Sequence, residues 1–187
     1  MNSQIIQPPL VAWASGAFSH APLIRKTTYL KDLAGVFADS QAWRLCDPEL
    51  PVYTVEMPDT PAGEGELWTG VTHLSPGKVG NEFFMTRGHF HARREQGEIY
   101  FGLRGQGLLL LQDECGKARL EKVCAGSVHR IPGFTAHRLI NTGNETLSAL
   151  AVWPTIAGHD YAALQRGFAL RVVDENQQVC VREVQNG

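Results

Sequence analysis

From residue 51 onward, apolar and polar positions alternate with a period of two. PVYTVEMP (51–58), GELWTGVTHLSPG (65–77) and GNEFFMTRGHFH (80–91) each read as a strand bounded by Pro, Gly or Asn turn signals. EIYFGLRGQGLLLLQD (98–113) follows, with Gly102, Gly105 and Gly107 permitting a bend or bulge. ARLEKVCAGSVHRIPG (118–133), HRLINTG (137–143) and TLSALAVWP (146–154) complete the alternation, with a turn at Asn141–Asn144. Strand after strand with frequent turns predicts an all-β core, a closed barrel or a sandwich. The flanks differ. Leu30, Leu33, Val36 and Phe37 recur near helical spacing, which predicts a short helix over 28–37. Asp39-Ser40 opens a second helical turn, QAWRLC, that Asp47-Pro48 stops. Extended pieces around Leu10–Trp13, free to pair with another subunit, precede them; a helix from Tyr161 and a last strand, ALRVVD (169–174), close the chain. The pattern describes one domain over 1–187. An extension with a short helix spans 1–50, the barrel core 51–157, and a C-terminal helix and strand 158–187.

Length and composition leave this picture intact. A chain of 187 residues, 43% hydrophobic with 19 Gly and 10 Pro, fits one well-buried, turn-rich domain. Net charge is −2 with no basic run, which points away from nucleic acid. No apolar run approaches the ~20 residues of a membrane span, and Pro8 and Pro9 interrupt an N-terminus that lacks a basic leader region. Cys46, Cys115, Cys124 and Cys180 form no C-x-x-C pair, so free thiols in a reducing cytoplasm are expected.

The candidate chemistry lies in the stretch 86–112. On a strand, His89 and His91 look the same way and Phe90 the other. Six residues separate His91 from Glu98, enough for a hairpin loop that returns Glu98 beside the histidines. Two imidazoles and a carboxylate on one face suit a divalent metal, and His137 is the candidate fourth ligand. His20, His73 and His129 fit no such pattern.

Read together, His89-x-His91, Glu98-x6-Gly105 and Gly126-x5-Pro132-x4-His137-x3-Asn141 resemble the two motifs of the cupin superfamily. The long gap between His91 and Glu98 departs from the common form, as does Phe134 where glycine is frequent. That gap is similar to the cupin-type phosphoglucose isomerases, whose signature stands here as Thr86-Arg-Gly88-His89-Phe-His91-x6-Glu98-Ile-Tyr100-Phe-Gly-Leu103-Arg-Gly105-Gln-Gly107. Asp47-Pro48-x2-Pro51-Val52-Tyr53 and Gly158-His159-Asp160-Tyr161 extend the resemblance over most of 28–168.

The resemblance implies a cupin β-barrel with short flanking helices and a homodimer. It implies one divalent metal (iron, zinc, nickel or manganese) held by His89, His91, Glu98 and His137. The implied reaction interconverts glucose 6-phosphate and fructose 6-phosphate, through an enediol or a direct hydride shift. Glu98 is the expected base, with Tyr100 and His159 assisting. Thr72, Thr86 and Gly88 are the expected phosphate contacts, and Tyr53 and Tyr161 line the sugar pocket. Alternation places Arg87 on a solvated outer face and leaves Arg93 and Arg94 as loop charges. Trp153 stands where the family has a tyrosine. The rival readings are another metal-dependent cupin enzyme, a dioxygenase or sugar-phosphate epimerase, and a sugar-binding cupin without catalysis.

Overall fold

A computed structural model describes residues 5–164 and 167–184. In chain order its strands are β1 (Leu10–Val11), β2 (Phe18–Ser19), β3 (Leu23–Tyr29), β4 (Pro51–Pro58), β5 (Leu67–Leu74), β6 (Lys78–Val79), β7 (Glu82–Phe83) and β8 (Glu98–Arg104). Then follow β9 (Gln106–Asp113), β10 (Ala118–Cys124), β11 (Val128–Ile131), β12 (Thr135–Ile140), β13 (Leu147–Pro154), β14 (Leu170–Glu175) and β15 (Gln178–Glu183). A six-stranded sheet in the order β11-β8-β13-β5-β4-β3 faces a three-stranded sheet, β10-β9-β12, and β15-β14-β7-β6 forms a smaller flanking sheet. This is the all-β cupin barrel with short flanking helices that the motifs imply.

The turn at Gly105 makes the two-sheet arrangement possible. EIYFGLRGQGLLLLQD breaks there, β8 going to one sheet and β9 to the other. Gly105 has φ +76, and an added Cβ would lie 2.5 Å from the Thr146 carbonyl oxygen, so glycine is required on both counts. ARLEKVCAGSVHRIPG divides in the same way into β10 and β11, one in each sheet. Leu109, Leu110 and Leu111 are all fully buried, so both faces of β9 are covered and its apolar run does not alternate.

Three local expectations change. Residues 28–37 do not form an α-helix: β3 runs to Tyr29, and a 3-10 turn at Leu30–Leu33 follows. Thr27, Thr28 and Tyr29 join the sheet edge against β4, while the Leu30 and Lys31 N–H groups donate to the Leu50 and Pro48 carbonyls at 2.9 and 3.0 Å. The helix-like spacing therefore reported burial of Leu30, Leu33 and Phe37 rather than helical backbone. The second helical turn exists as α1 (Ser40–Leu45), capped by the Asp39 carboxylate, which accepts from the Gln41 and Ala42 N–H groups.

Leu10–Val11 is extended as expected and pairs along one edge with Phe18–Ser19 of the same chain. GNEFFMTRGHFH is not one strand. It comprises β7 and the isolated bridges Met85–Ile140, His89–His137 and Phe90–Asp160. After Tyr161 the described residues hold only a 3-10 turn, Ala162–Leu164; the remainder of the expected helix falls partly on residues 165–166, outside the described set. ALRVVD is strand β14, and β15, which the alternation did not single out, folds back on it as a hairpin. Among the described residues no helix is long and apolar enough to cross a membrane.

Candidate metal centre and substrate cavity

The segment carrying His89 and His91 is held against β12. Thr86 N–H donates to the Leu139 carbonyl at 2.9 Å, and His89 and His137 exchange backbone hydrogen bonds at 3.3 and 3.1 Å. Its pairing partner is thus the strand of His137, not that of Glu98; a hairpin between 86–91 and 98–104 does not form. Glu98 arrives instead as the first residue of β8, opposite Ile131 of β11. A third piece of chain docks on the outside of this segment: Phe90 and Asp160 exchange backbone bonds, which sets His159 and Tyr161 beside His89. The His89 and His159 rings are 4.2 Å apart between centroids, and the His159 and Tyr161 rings lie nearly parallel at 5.8 Å.

Arg94 fastens that junction. Its guanidinium donates to Asp160 at 2.6 Å and to the His91 carbonyl, and lies 4.7 Å from the centroid of the Phe90 ring. It is therefore a structural strut of the site, not the loop charge that the sequence suggested. Arg93, paired with Glu64 at the surface, remains one.

The ligand-capable atoms of His89, His91, Glu98 and His137 all lie within 4.8 Å of one another. His91 Nδ1 lies 2.9 Å from the Gln96 carbonyl oxygen, which only accepts, so Nδ1 carries a proton and Nε2 is the nitrogen left for a metal. Without a metal, that nitrogen lies 3.2 Å from Glu98 Oε2, and a proton shared there holds the pair together. His137 Nε2 is 3.0 Å from the same oxygen but lacks hydrogen-bond geometry, and both it and His89 Nε2 are buried without a partner. Buried imidazole nitrogens without partners cost free energy, and a metal cation bound among them would supply the missing partner. Atoms spaced this way require only a small contraction to reach the ~2.0–2.2 Å of first-row metal–ligand bonds. The residues fit a divalent metal.

Electrostatics agree. Burial, reinforced by His137, His159 and His91 nearby, pushes His89 well below the ordinary 6.5, so the ring is neutral and competent to ligate. Burial alone would raise Glu98, but His137 and His91 outweigh it and hold the carboxyl below its usual 4.5. Burial opposes His91 as well; there the Glu98 and Gln96 acceptors prevail and raise it. Burial lowers His159 and lifts Tyr100 well above 10.0.

A cavity of about 620 Å³ surrounds this cluster, within the range of small-molecule sites. Every residue singled out in the sequence for substrate or catalysis lines it: Tyr53, Thr72, Thr86, Gly88, Tyr100, His159 and Tyr161. Thr86 Oγ1 accepts from the Leu139 N–H at 3.1 Å, which leaves its own proton free to donate. Gly88 has φ +73, and an added Cβ would meet the Phe168 ring at 2.7 Å, so this turn admits only glycine.

Arg87 is exposed, yet it also lines the cavity. Its guanidinium lies 5.1 Å from the centroid of the Tyr161 ring and donates to the Asp32 carbonyl. The outer-face assignment failed because the turn at Gly88 interrupts the strand, and alternation does not carry across it. Lys26, Asp32 and Trp68 also line the cavity and were not read from sequence; they come from the N-terminal edge and β5, where no motif marks them. His73 bonds Ser148 at 2.9 Å, and His129 bonds Glu121 and Ser127 at 2.8 and 2.9 Å, both outside the cavity as expected. The four cysteines are free thiols.

Residues 26–187 match the model of the family described as glucose-6-phosphate isomerase (GPI). The glucose-6-phosphate isomerase of Thermococcus litoralis is 42% identical over 160 residues, 82% of this chain and 83% of that one. The Pyrococcus horikoshii protein of the same name is 43% identical over 175 residues, 91% of each chain. A bacterial relative from Sinorhizobium medicae, also so named, is 36% identical over 152 residues, 79% of this chain and 71% of its own.

Proposed function

The chain belongs to the glucose-6-phosphate isomerase family, and from that premise and the geometry of the site we propose that it interconverts D-glucose 6-phosphate and D-fructose 6-phosphate with a bound divalent metal. The observation that carries the reading is that the His89, His91, Glu98 and His137 cluster and the Thr72, Thr86 and Gly88 donors share one cavity of about 620 Å³. Those four residues hold the metal, which when bound polarises the substrate carbonyl and orients its oxygens.

The chain's own groups divide the remaining work. The Thr72 and Thr86 hydroxyls and the Gly88 N–H hold the phosphate, since glycine lets the backbone donor approach an anion closely. Held there, the sugar extends toward Glu98 and places C1 and C2 beside its carboxylate. In the enediol route Glu98 takes the C2 proton of the open-chain aldose and returns it to C1 while the hydroxyl proton moves between oxygens, so nothing is gained or lost. In the alternative route hydride passes directly between the two carbons. His159 and Tyr161, stacked at the cavity wall, serve ring opening. Tyr100 stays protonated next to Glu98 and donates to a sugar oxygen. Tyr53 contacts the sugar hydroxyls, and Trp153, in the same wall, stands where the family resemblance implies a tyrosine. We take the enzyme to be a cytoplasmic homodimer serving sugar-phosphate metabolism; the free thiols support the compartment.

The test is fructose 6-phosphate conversion in a coupled assay, on EDTA-stripped protein with iron, zinc, nickel or manganese added back singly. Activity lost with EDTA and restored by one or two metals supports the proposal. No turnover with any metal, at one metal bound per chain, overturns it in favour of a sugar-binding cupin. Oxygen consumption on metal addition would favour a dioxygenase.

A further inference from the structure

Behind the Thr86–Gly88 turn lies a second cavity of about 610 Å³, on the opposite side of β12 from the metal cluster. Successive residues of a strand face opposite ways, so His137 points into the barrel and Arg138 points out into this space. Arg138, Arg171 and Arg87 line it, with Phe168, Tyr161 and the buried Gly88.

Arg138 is only 8% exposed, yet among the described residues no carboxylate stands within ion-pairing distance of it. Of its five N–H donors, one faces the Met85 sulfur at 3.0 Å, a weak acceptor, and another the Arg87 carbonyl. Its Nε is buried without an acceptor. Burial depresses the guanidinium from 12.5 to about 10, the mark of a cation held away from water. Arg171 is better provided, donating to Glu82 at 2.7 Å and to the Val36 carbonyl. Among the described residues, three guanidinium groups therefore line one cavity, and a single carboxylate, Glu82, pairs with one of them.

We propose that this outer cavity is a second anion site, for a phosphate-bearing small molecule held by Arg138, Arg171 and Arg87. Guanidinium donors in a fixed fork match phosphate oxygens in pairs, and an unpaired buried cation is what an arriving anion relieves. The Phe168 ring, 4.6 Å from the Arg138 guanidinium, and the adjoining aliphatic wall suit the uncharged body of such a molecule. The site adjoins the barrel cavity through Arg87, Gly88 and Tyr161, which line both. The outer site stands on charge and burial outside the barrel; only the barrel phosphate that serves as its control rests on the isomerase reading.

Equilibrium dialysis of inorganic phosphate against the metal-loaded full-length protein tests it. Wild type should hold one phosphate in this cavity in addition to the one in the barrel. Arg138→Met should lose the first and keep the second, and Thr72→Val the reverse. Arg138→Lys, which keeps the charge, should bind at both but more weakly in the outer cavity. Equal phosphate binding by wild type and Arg138→Met overturns the proposal. Should the Met variant not fold, a wild type that binds a single phosphate, abolished by Thr72→Val, overturns it equally. Failure of the isomerase reading touches only the Thr72-dependent phosphate and leaves the Arg138-dependent one in place.

Discussion

Replacing Glu98 by Gln changes one charge and little else, and so isolates the carboxylate from the shape of the site. Glu98 Oε2 stands 3.2 Å from His91 Nε2 and 3.0 Å from His137 Nε2. Glutamine puts a carbonyl oxygen in the same place but cannot take up a proton from a carbon acid. Loss of a positioned base costs roughly 10²–10⁴ in rate, or about 2.7–5.4 kcal/mol of barrier. Removing the carboxylate also removes the group that raises His91, which leaves that imidazole neutral and better able to ligate. Three histidines remain, so excess metal should still fill the site. The measurement is kcat and KM in the coupled assay at saturating metal, with metal content by atomic absorption. We expect kcat to fall by about 10²–10⁴ with metal near one per chain. Glu98→Asp keeps the charge but withdraws it by about one bond length, and should lose roughly 10²-fold. A fully metallated Gln variant within about threefold of wild type, against the ~10²-fold minimum for a base, would falsify the assignment.

His137→Ala should reduce metal content after dialysis against a chelator far below that of wild type, because it removes one of the ligating nitrogens; unchanged content would remove His137 from the ligand set. Gly88→Ala combines a left-handed φ of +73 with contacts at 2.7 Å to Phe168 and 3.1 Å to Arg138. Strain of about 1–2 kcal/mol and overpacking of about 1–3 kcal/mol should lower Tm by roughly 4–20 °C, at about 2–4 °C per kcal/mol for a chain of this size; an unshifted melting curve would contradict it. In metal-free protein, His89, His159 and His73 are held below 6.5 by burial and His91 alone is raised. The unfolded chain then binds more protons as pH falls through about 6.5, so stability is lost in that direction. His91 acts oppositely, its contribution being complete below 6.5 and lost as pH rises, but three groups outweigh one. Differential scanning calorimetry should show Tm falling from pH 7.5 to 5, and a flat or rising Tm would contradict the burial of these rings.

The sequence determined most strands from 51 to 154, the segment 80–91 excepted, and the chemistry of the site, because both are local. Alternation is a property of neighbouring residues, and the His89-x-His91 spacing survives even though its segment is not a regular strand, since Phe90 is buried on the opposite side. The full run of residues from Thr86 to Gly107 carried the family for the same reason. Pairing was decided only in three dimensions. Alternation fixes which way a side chain points but not which strand lies beside it, so a hairpin returning Glu98 was a reasonable expectation. The chain instead pairs His89 with His137 and brings Glu98 in from the other sheet. Leu30 and Leu33 show the same limit, because a 3-10 turn and a helix bury the same spacing. Arg87, Arg94 and Arg138 were beyond reading for a further reason. A charge looks solvated in sequence, and only the tertiary structure decides whether an Asp160, a Phe168 or a carbonyl waits on the covered face of the strand.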